Sequence, residues 1–364
     1  MLLKDIISFL EQKAPPALQE SYDNSGLIVG SPDMEITAAL ICLDSTPEVI
    51  AEARERGCNL VIAHHPIVFS GLKKLNGKNY IERAVIDAIR HDIAIYAIHT
   101  NLDNVAHGVN MKIAEKLGLS NTRVLDPKSK LLSKVAVFVP VSHADEVRKA
   151  LFDAGAGHIG DYDECSFNTS GTGTFRAGEG TNPHVGAHGE QHREDEVRIE
   201  TIVPGWKVSR VVSAMKAAHP YEEVAYDIFP LDNKWDQVGA GMLGELAEPM
   251  PVADFLQMLK VYMQANGIRY TKPHVSHIRK VAVCGGSGSF LLQAAMAAGA
   301  DVLVTADFKY HQFFDADGKI IIADIGHFES EQFTMNLLND WFRQKFPIFA
   351  THLTGVITNP VHYL

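Results

Sequence analysis

Apolar residues open the chain at a helical interval. Leu3, Ile6, Ile7, Phe9 and Leu10 recur among Lys4, Asp5, Glu11 and Lys13, which predicts an amphipathic helix within residues 1–16. Continuous apolar runs follow. TAALICLDST (37–46) reads as a buried strand, PEVIAEARERGC (47–58) as a helix with Pro47 at its first position, and NLVIAHHPI (59–67) as a second buried strand. NYIERAVIDAIRHD predicts a helix, IAIYAIHT a third strand, and VNMKIAEKLGL a helix closing at Gly118. Strands that are apolar on both faces and alternate with such helices make parallel βαβ units covered on both sides.

The same rhythm returns near the C-terminus. IRKVAVCGGSGS reads as a strand with a glycine-rich turn, FLLQAAMAAGA as a helix, DVLVTADFKYH and GKIIIADIGH as strands, and SEQFTMNLLNDWF as a helix. Laid over the first half, Cys42 falls on Cys284 and the pair His64, His65 on Ala306, Asp307. A second, slightly shorter offset aligns His99 with His327 and Asp103 with Glu331. The expected fold is α/β: a duplicated three-layer α/β core of two related halves.

Between the halves the rhythm changes. KVAVFVPV, ADEVRKALFDAG, CSFNTSGTGTFRA, EVRIETIVP, VSRVVSAMKAAH and EVAYDIFPL read as strand, helix, strand, strand, helix, strand. That order predicts an inserted ferredoxin-like α+β domain at 129–239, leaving 1–128 and 240–364 as a discontinuous core. Asp126-Pro127 before it and Pro230–Asn233 after it supply turn-like boundaries. The stretch Gly178–Glu194 carries His184, His188 and His192 among glycines and Pro183, and reads as a solvated loop rather than a metal site.

Composition narrows the function classes. A length of 364 residues with 46% hydrophobic content supports two or three packed domains. No segment approaches the roughly 18 consecutive apolar residues of a membrane span. The N-terminal segment lacks the uninterrupted apolar stretch of a signal peptide. Cys42, Cys58, Cys165 and Cys284 are scattered without metal or redox spacing, which points to the cytoplasm. A net charge of −11 disfavours nucleic acid and anionic membranes, and favours a small-molecule or protein partner.

The chemistry gathers at the predicted strand ends, where sites form in such sheets. His64 and His65 end one strand, and His99 ends another with Asp103 four residues on. In the second half Asp307 ends a strand, and His327 is followed four residues later by Glu331. Burying adjacent imidazoles demands two sets of partners, and Pro66 cannot continue the ladder. Imidazole and carboxylate together suit Zn, Fe, Mn or Co rather than a thiolate-seeking ion. Five such ligands exceed what a catalytic mononuclear zinc takes, but fit two ions about 3.5 to 4 Å apart with open positions for hydrolytic chemistry. Other readings stand beside this one: HFESE also fits helix capping by Glu329 or Ser330. CGGSGS (284–289) fits an anion cradle or a tight turn that brings backbone to the cleft. Tyr22, Asp23, Asn24 and Gly26 fit a simple turn.

The motifs YDNSGLIVG, LVIAHHPIVF, IHTNLDNVAHGVN, CGGSGS with DVLVTADFKYH, GHFESEQF and TNPVHYL run in one order through both core segments. Together they resemble the Nif-three-like dinuclear metal centre proteins, called GTP cyclohydrolase 1 type 2 homologues. The intervening stretch, with AAHPYEEVAYDIF, is similar to the PII-like and CutA-like insertion of the longer bacterial members. The resemblance implies two divalent metal ions per subunit on His64, His65, Asp103, His327 and Glu331. It places His99, His311 and Asp307 around them, facing substrate or supporting the ligands. Two departures touch the pocket: Thr305-Ala306-Asp307 stands where Thr-Gly-acid is common, and Tyr22 where Trp is frequent. The resemblance also implies a toroidal homohexamer, a trimer of dimers with sites facing the interior and the inserted domains capping its opening.

The implied function is a metal-dependent hydrolase of GTP cyclohydrolase type, opening C–N bonds of a nucleotide or related heterocycle through a metal-bound hydroxide. His311 or His99 would shuttle protons. The competing expectation is a metal-handling or regulatory hexamer whose inserted domain senses a ligand.

Overall fold

Buried strands set the frame. The computed structural model describes residues 1–364. In chain order it begins with α1 (Leu3–Lys13), β1 (Gly26–Val29), β2 (Ala38–Asp44), α2 (Pro47–Glu55) and β3 (Leu60–His65). It continues through α3 (Tyr80–Arg90), β4 (Ala94–Ala97), the one-turn α4 (Thr100–Asp103), α5 (Val109–Lys116) and β5 (Ser120–Ser129). Next come β6 (Leu132–Pro140), α6 (Ala144–Asp153), β7 (Ser166–Arg176), β8 (Gln191–Pro204), α7 (Val208–Ala218) and β9 (Tyr226–Leu231). The chain closes with β10 (Lys234–Pro251), α8 (Val252–Tyr262), β11 (Arg269–Tyr270), β12 (His277–Ser287), α9 (Leu292–Ala297) and β13 (Val302–Ala306). After these follow β14 (Ile321–Asp324), α10 (His327–Glu331), α11 (Thr334–Lys345) and β15 (Ala350–Leu353).

Met1–Pro127 and Asp236–Leu364 form one compact unit, and Lys128–Trp235 a second. The first unit holds two sheets, ordered β1-β4-β3-β2-β15 and β11-β14-β13-β12-β10-β5. In the first, β2, β3 and β4 run parallel with β1 antiparallel at the edge. In the second, β12, β13 and β14 run parallel with β11 antiparallel at the edge. Parallel strands need both faces covered. Thus Leu60–Ala63 and Val302–Ala306 are wholly buried, and the helices' apolar faces supply cover, such as Val49, Ile50 and Ala53 of α2 and Leu292 and Ala295 of α9. Asn79 caps α3 by accepting from Glu82 N at 2.8 Å, which satisfies one orphan amide.

The second unit is a four-stranded antiparallel sheet in the order β7-β8-β6-β9, the order of a ferredoxin-like sheet, with α6 and α7 packed on one face. Alternation explains its core: Val135, Val137 and Val139 of β6 meet Val147, Leu151, Val211 and Met215.

Three local expectations change. DVLVTADFKYH ends as a strand at Ala306, because Asp307 takes a left-handed φ of 59° and Tyr310–Ala316 winds into a 3-10 turn. The loop read over 178–194 is shorter. β8 starts at Gln191 and His192 pairs opposite Phe175, since hairpin register rather than apolar pattern recruits those polar residues. Asp126-Pro127 lies inside β5 rather than in a turn. β5 is an edge strand, where a proline costs no ladder bond.

Candidate metal centre

The two histidines of LVIAHH divide between neighbouring strands. Pro66 ends the β3 ladder, and each ring is then fixed by the strand beside it. His64 Nδ1 donates to the Ile98 carbonyl just past β4 at 2.8 Å. His65 Nδ1 donates to Asp44 Oδ1 at the end of β2, also at 2.8 Å. With both Nδ1 atoms committed, both Nε2 atoms are left for the cleft. From the other sheet, Gly326 turns the chain with a φ of 95° into α10, whose one-turn spacing puts His327 and Glu331 on one face. His327 Nδ1 donates to Asp307 Oδ2 at 2.6 Å, and the left-handed backbone at Asp307 sets that carboxylate. Three imidazoles thus share one design, a fixed tautomer with its free nitrogen turned inward, as metal-ligating histidines have.

Glu331 sits among them, its side chain only 3% exposed. Oε2 lies 2.9 Å from His65 Nε2 and 3.1 Å from His327 Nε2, while those two nitrogens are 3.4 Å apart. Oε1 faces the other way, 3.8 Å from His64 Nε2, which is 3.6 Å from Asp103 Oδ1. The two oxygens of one carboxylate therefore separate two donor groups. His64 Nε2 and Asp103 Oδ1 are both buried without a hydrogen-bond partner. Leaving a buried polar atom unpaired costs about 1–3 kcal/mol, and a cation between the two would remove that penalty. Donors on one ion at about 2.0–2.2 Å stand roughly 3 to 3.6 Å from one another, close to the separations seen. The residues therefore fit a divalent metal. His64, His65 and Glu331 form a cluster able to hold one, with donor atoms all within 4.8 Å of one another.

The close packing of charges shifts the titration of the groups themselves. Burial pushes the His65 imidazole down, but its bonds to Asp44 and Glu331 and their charges outweigh that and raise it to about 10. His327 is likewise lifted to about 11, burial being overcome by Glu331 and Asp307. Burial and the Glu331 charge raise the Asp103 carboxyl to about 7. Glu331 itself is held well below the usual range, because the charge and hydrogen bond of His327 and the bond of His65 overcome its burial.

His99 stands at the rim, its ring 5.4 Å from those of both His64 and His65. Its Nδ1 donates to Asp23 Oδ1 at 2.8 Å. Burial raises the Asp23 carboxyl, yet hydrogen bonds from His99, Thr100 and Ser25 hold it well below the ordinary range. Asp307, besides holding His327, accepts from Ser287. His311 does not line the cleft. It is exposed and stacks near Tyr310 and Phe314. Asp44 was absent from the sequence reading, although its place at the end of LICLD, one strand from His65, was a signal.

The glycine-rich turn resolves in favour of close approach. The amides of Gly285, Gly286 and Gly288 are given to Asn110 Oδ1, Ser330 Oγ and Thr305 Oγ1, so they form no anion cradle. A Cβ on Gly286 would lie 2.5 Å from Glu331 Oε1. Ser330 and Glu329 do not cap α10; Ser330 pins this turn, and Glu329 accepts from Asn359.

A cleft of about 600 Å³ opens on His65, His99 and His327, walled by Phe69, Phe328 and Tyr363 with Arg269 beside them. A cavity of about 620 Å³ in the second unit, between β7 and the segment Tyr221–Ala225, holds no comparable cluster of metal donors. No helix is long and apolar enough to cross a membrane.

Comparison with known proteins finds relatives that match along the length of the chain. A protein of Halalkalibacterium halodurans named GTP cyclohydrolase 1 type 2 homolog is 43% identical over 325 residues, 88% of this chain and 87% of its own. A Bacillus subtilis protein of the same name is 40% identical over 367 residues, covering 99% and 98%. The crystal structure of a Bacillus cereus protein related to NIF3 superposes with a TM-score of 0.88 at 41% identity, covering 100% of this chain and 99% of that one. A Staphylococcus aureus crystal structure matches at 0.80 and 30% identity over 100% and 99%. Since the family profile itself matches residues 1–360, the chain belongs to the Duf34/NIF3 (NGG1p interacting factor 3) family.

Proposed function

We propose that the chain is a two-metal hydrolase of GTP cyclohydrolase type, acting on C–N bonds of a nucleotide or related heterocycle. The observation that carries this is the division of donors around Glu331. His64, Asp103 and Oε1 would hold one divalent ion, and His65, His327 and Oε2 the other, with Zn, Fe, Mn or Co all suited to the set. Bound there, the ions would acidify a water and polarise the substrate's electrophilic carbon.

The chain's own residues do the rest. Asp23 fixes the His99 tautomer, so His99 Nε2 faces the cleft and accepts or returns a proton there. Phe69, Phe328 and Tyr363 offer apolar walls to a planar ring and exclude water from one side. The relatives' names support the substrate class.

We read the two sheets of the first unit as a diverged duplication, supported by the matching order β1-β4-β3-β2 and β11-β14-β13-β12, an antiparallel edge strand followed by three parallel ones, and the second unit as an inserted domain. We also propose a homohexamer. Exposed Phe290, Tyr310 and Phe314 support association, and sedimentation analysis tests it.

The decisive experiment is a screen of zinc-, iron-, manganese- and cobalt-loaded protein against GTP and a panel of cyclic amidines and amides. Turnover should vanish in His65→Ala. Asp23→Asn should lower kcat about 10²–10⁴-fold with metal content unchanged, the range of a lost general acid–base. Tight metal binding without turnover of any panel member would instead support a metal-handling protein.

A further inference from the structure

The last eleven residues, 354–364, have no regular secondary structure, yet consecutive side chains in them reach both halves of the metal centre. Thr358 Oγ1 donates to Asp44 Oδ2 at 2.6 Å, and the other oxygen of that carboxylate holds His65 Nδ1. Asn359 Nδ2 donates to Glu329 Oε1 at 3.0 Å, and the buried Glu329 lies on α10 between the ligand candidates His327 and Glu331. Upstream, the segment is moored to the first sheet and its covering helix α2: Thr354 N donates to Ile41 O at 3.0 Å and Gly355 N to Glu52 Oε1 at 2.9 Å. Downstream, Tyr363 packs over Gly267 and lines the cleft.

We propose that Thr358 and Asn359 form a clasp that sets the affinity of one metal position, the one between His65 and His327. The clasp presupposes the two-ion reading above. His65 comes from β3 and His327 from α10, so the gap between their nitrogens is fixed only as well as those two elements are held together. The clasp reaches the first through Asp44 and the second through Glu329. His64 lies outside its reach, because the Ile98 carbonyl fixes that ring. Thr358 is therefore a positioning residue for His65. It directs Asp44 to present one oxygen to the imidazole Nδ1–H, which keeps the ring oriented with Nε2 aimed at the ion. Loss of such an outer hydrogen bond typically weakens metal affinity about 10–100-fold.

The test is zinc titration of the full-length apoprotein against a chromophoric chelator, for wild type, Thr358→Val, Thr358→Ser, His64→Ala and His65→Ala. Wild type should take two ions. Thr358→Val should weaken one step about 10–100-fold, the same step that His65→Ala abolishes, and leave the step lost in His64→Ala unchanged. Thr358→Ser, which restores the hydroxyl, should restore the affinity, and the melting temperature of the apoprotein should not move. The clasp is overturned if Thr358→Val titrates as wild type, or if it weakens the His64 step. If wild type binds a single ion, the two-ion reading fails on its own. The clasp then still requires Thr358→Val to weaken that ion and Thr358→Ser to rescue it, and unchanged affinity overturns it.

Discussion

Glu331 can lie almost wholly buried among three imidazoles because each carries its load toward a different partner: Ile98 for His64, Asp44 for His65 and Asp307 for His327. In the metal-free protein His65 and His327 are raised to about 10 and 11, so both are protonated at neutral pH. Their contribution to stability is fully present below the free imidazole value of about 6.5 and is lost as pH rises through those folded values. Asp103, raised to about 7, works in the same direction at lower pH, since its carboxyl resists the ionisation that the unfolded chain undergoes near pH 4. Metal binding needs the opposite protonation states. Affinity should therefore rise with pH, by about tenfold per unit for each proton displaced. The gap in melting temperature between zinc-loaded and chelated protein should widen from about pH 6 to about pH 9, and a constant gap would contradict the protonated empty centre. The ligand candidates themselves were legible in the sequence, because histidine and acid at strand ends make a local signal. Thr358 was not, since its meeting with Asp44 joins positions 314 apart and it lies in no chemical pattern of its own.

At the scale of elements, the position of α10 is decided by the glycine-bearing end of β12. Gly286 has a φ of 60°, and a Cβ there would meet Glu331 Oε1 at 2.5 Å and His327 Cε1 at 3.2 Å. Gly286→Ala should cost about 1–2 kcal/mol from the left-handed backbone alone. It should also push the Glu331 carboxylate off its nitrogens, lowering metal affinity at least about tenfold. Elemental analysis with thermal melting checks both, and full metal occupancy in the variant would show that α10 yields freely. This element-level packing is also where sequence reading reaches its limit. β2, β3, β13 and β14 were plain because burial on both faces leaves an unbroken apolar run. The start of β8 was hidden because Gln191–Glu196 is polar throughout and is a strand only by pairing with β7. CGGSGS remained open between anion cradle and close approach because the amides' partners, Asn110, Ser330 and Thr305, are distant in sequence.

At the scale of the molecule, the centre draws its donors from segments that begin and end the chain. His64, His65 and Asp103 lie before the second unit in sequence, and His327 and Glu331 after it. A cation held by both sets closes a loop that includes all of Lys128–Trp235, but it contacts only the first unit's donors. The two units own separate cores. One is built on Leu40, Val61 and Ile95 with Leu303 and Ile322 in the companion sheet, and the other on Val137, Leu151, Ile199 and Met215. A ligand stabilises only the folded unit that binds it, by about 2.7 kcal/mol at a hundredfold excess over Kd. Calorimetry should therefore resolve two transitions, of which chelation lowers one and leaves the other in place. Limited proteolysis of chelated protein near the lower transition should release a resistant fragment spanning about residues 128–235. If chelation lowers both transitions equally, the units unfold as one, and the metal's stabilisation is not confined to the part that holds it.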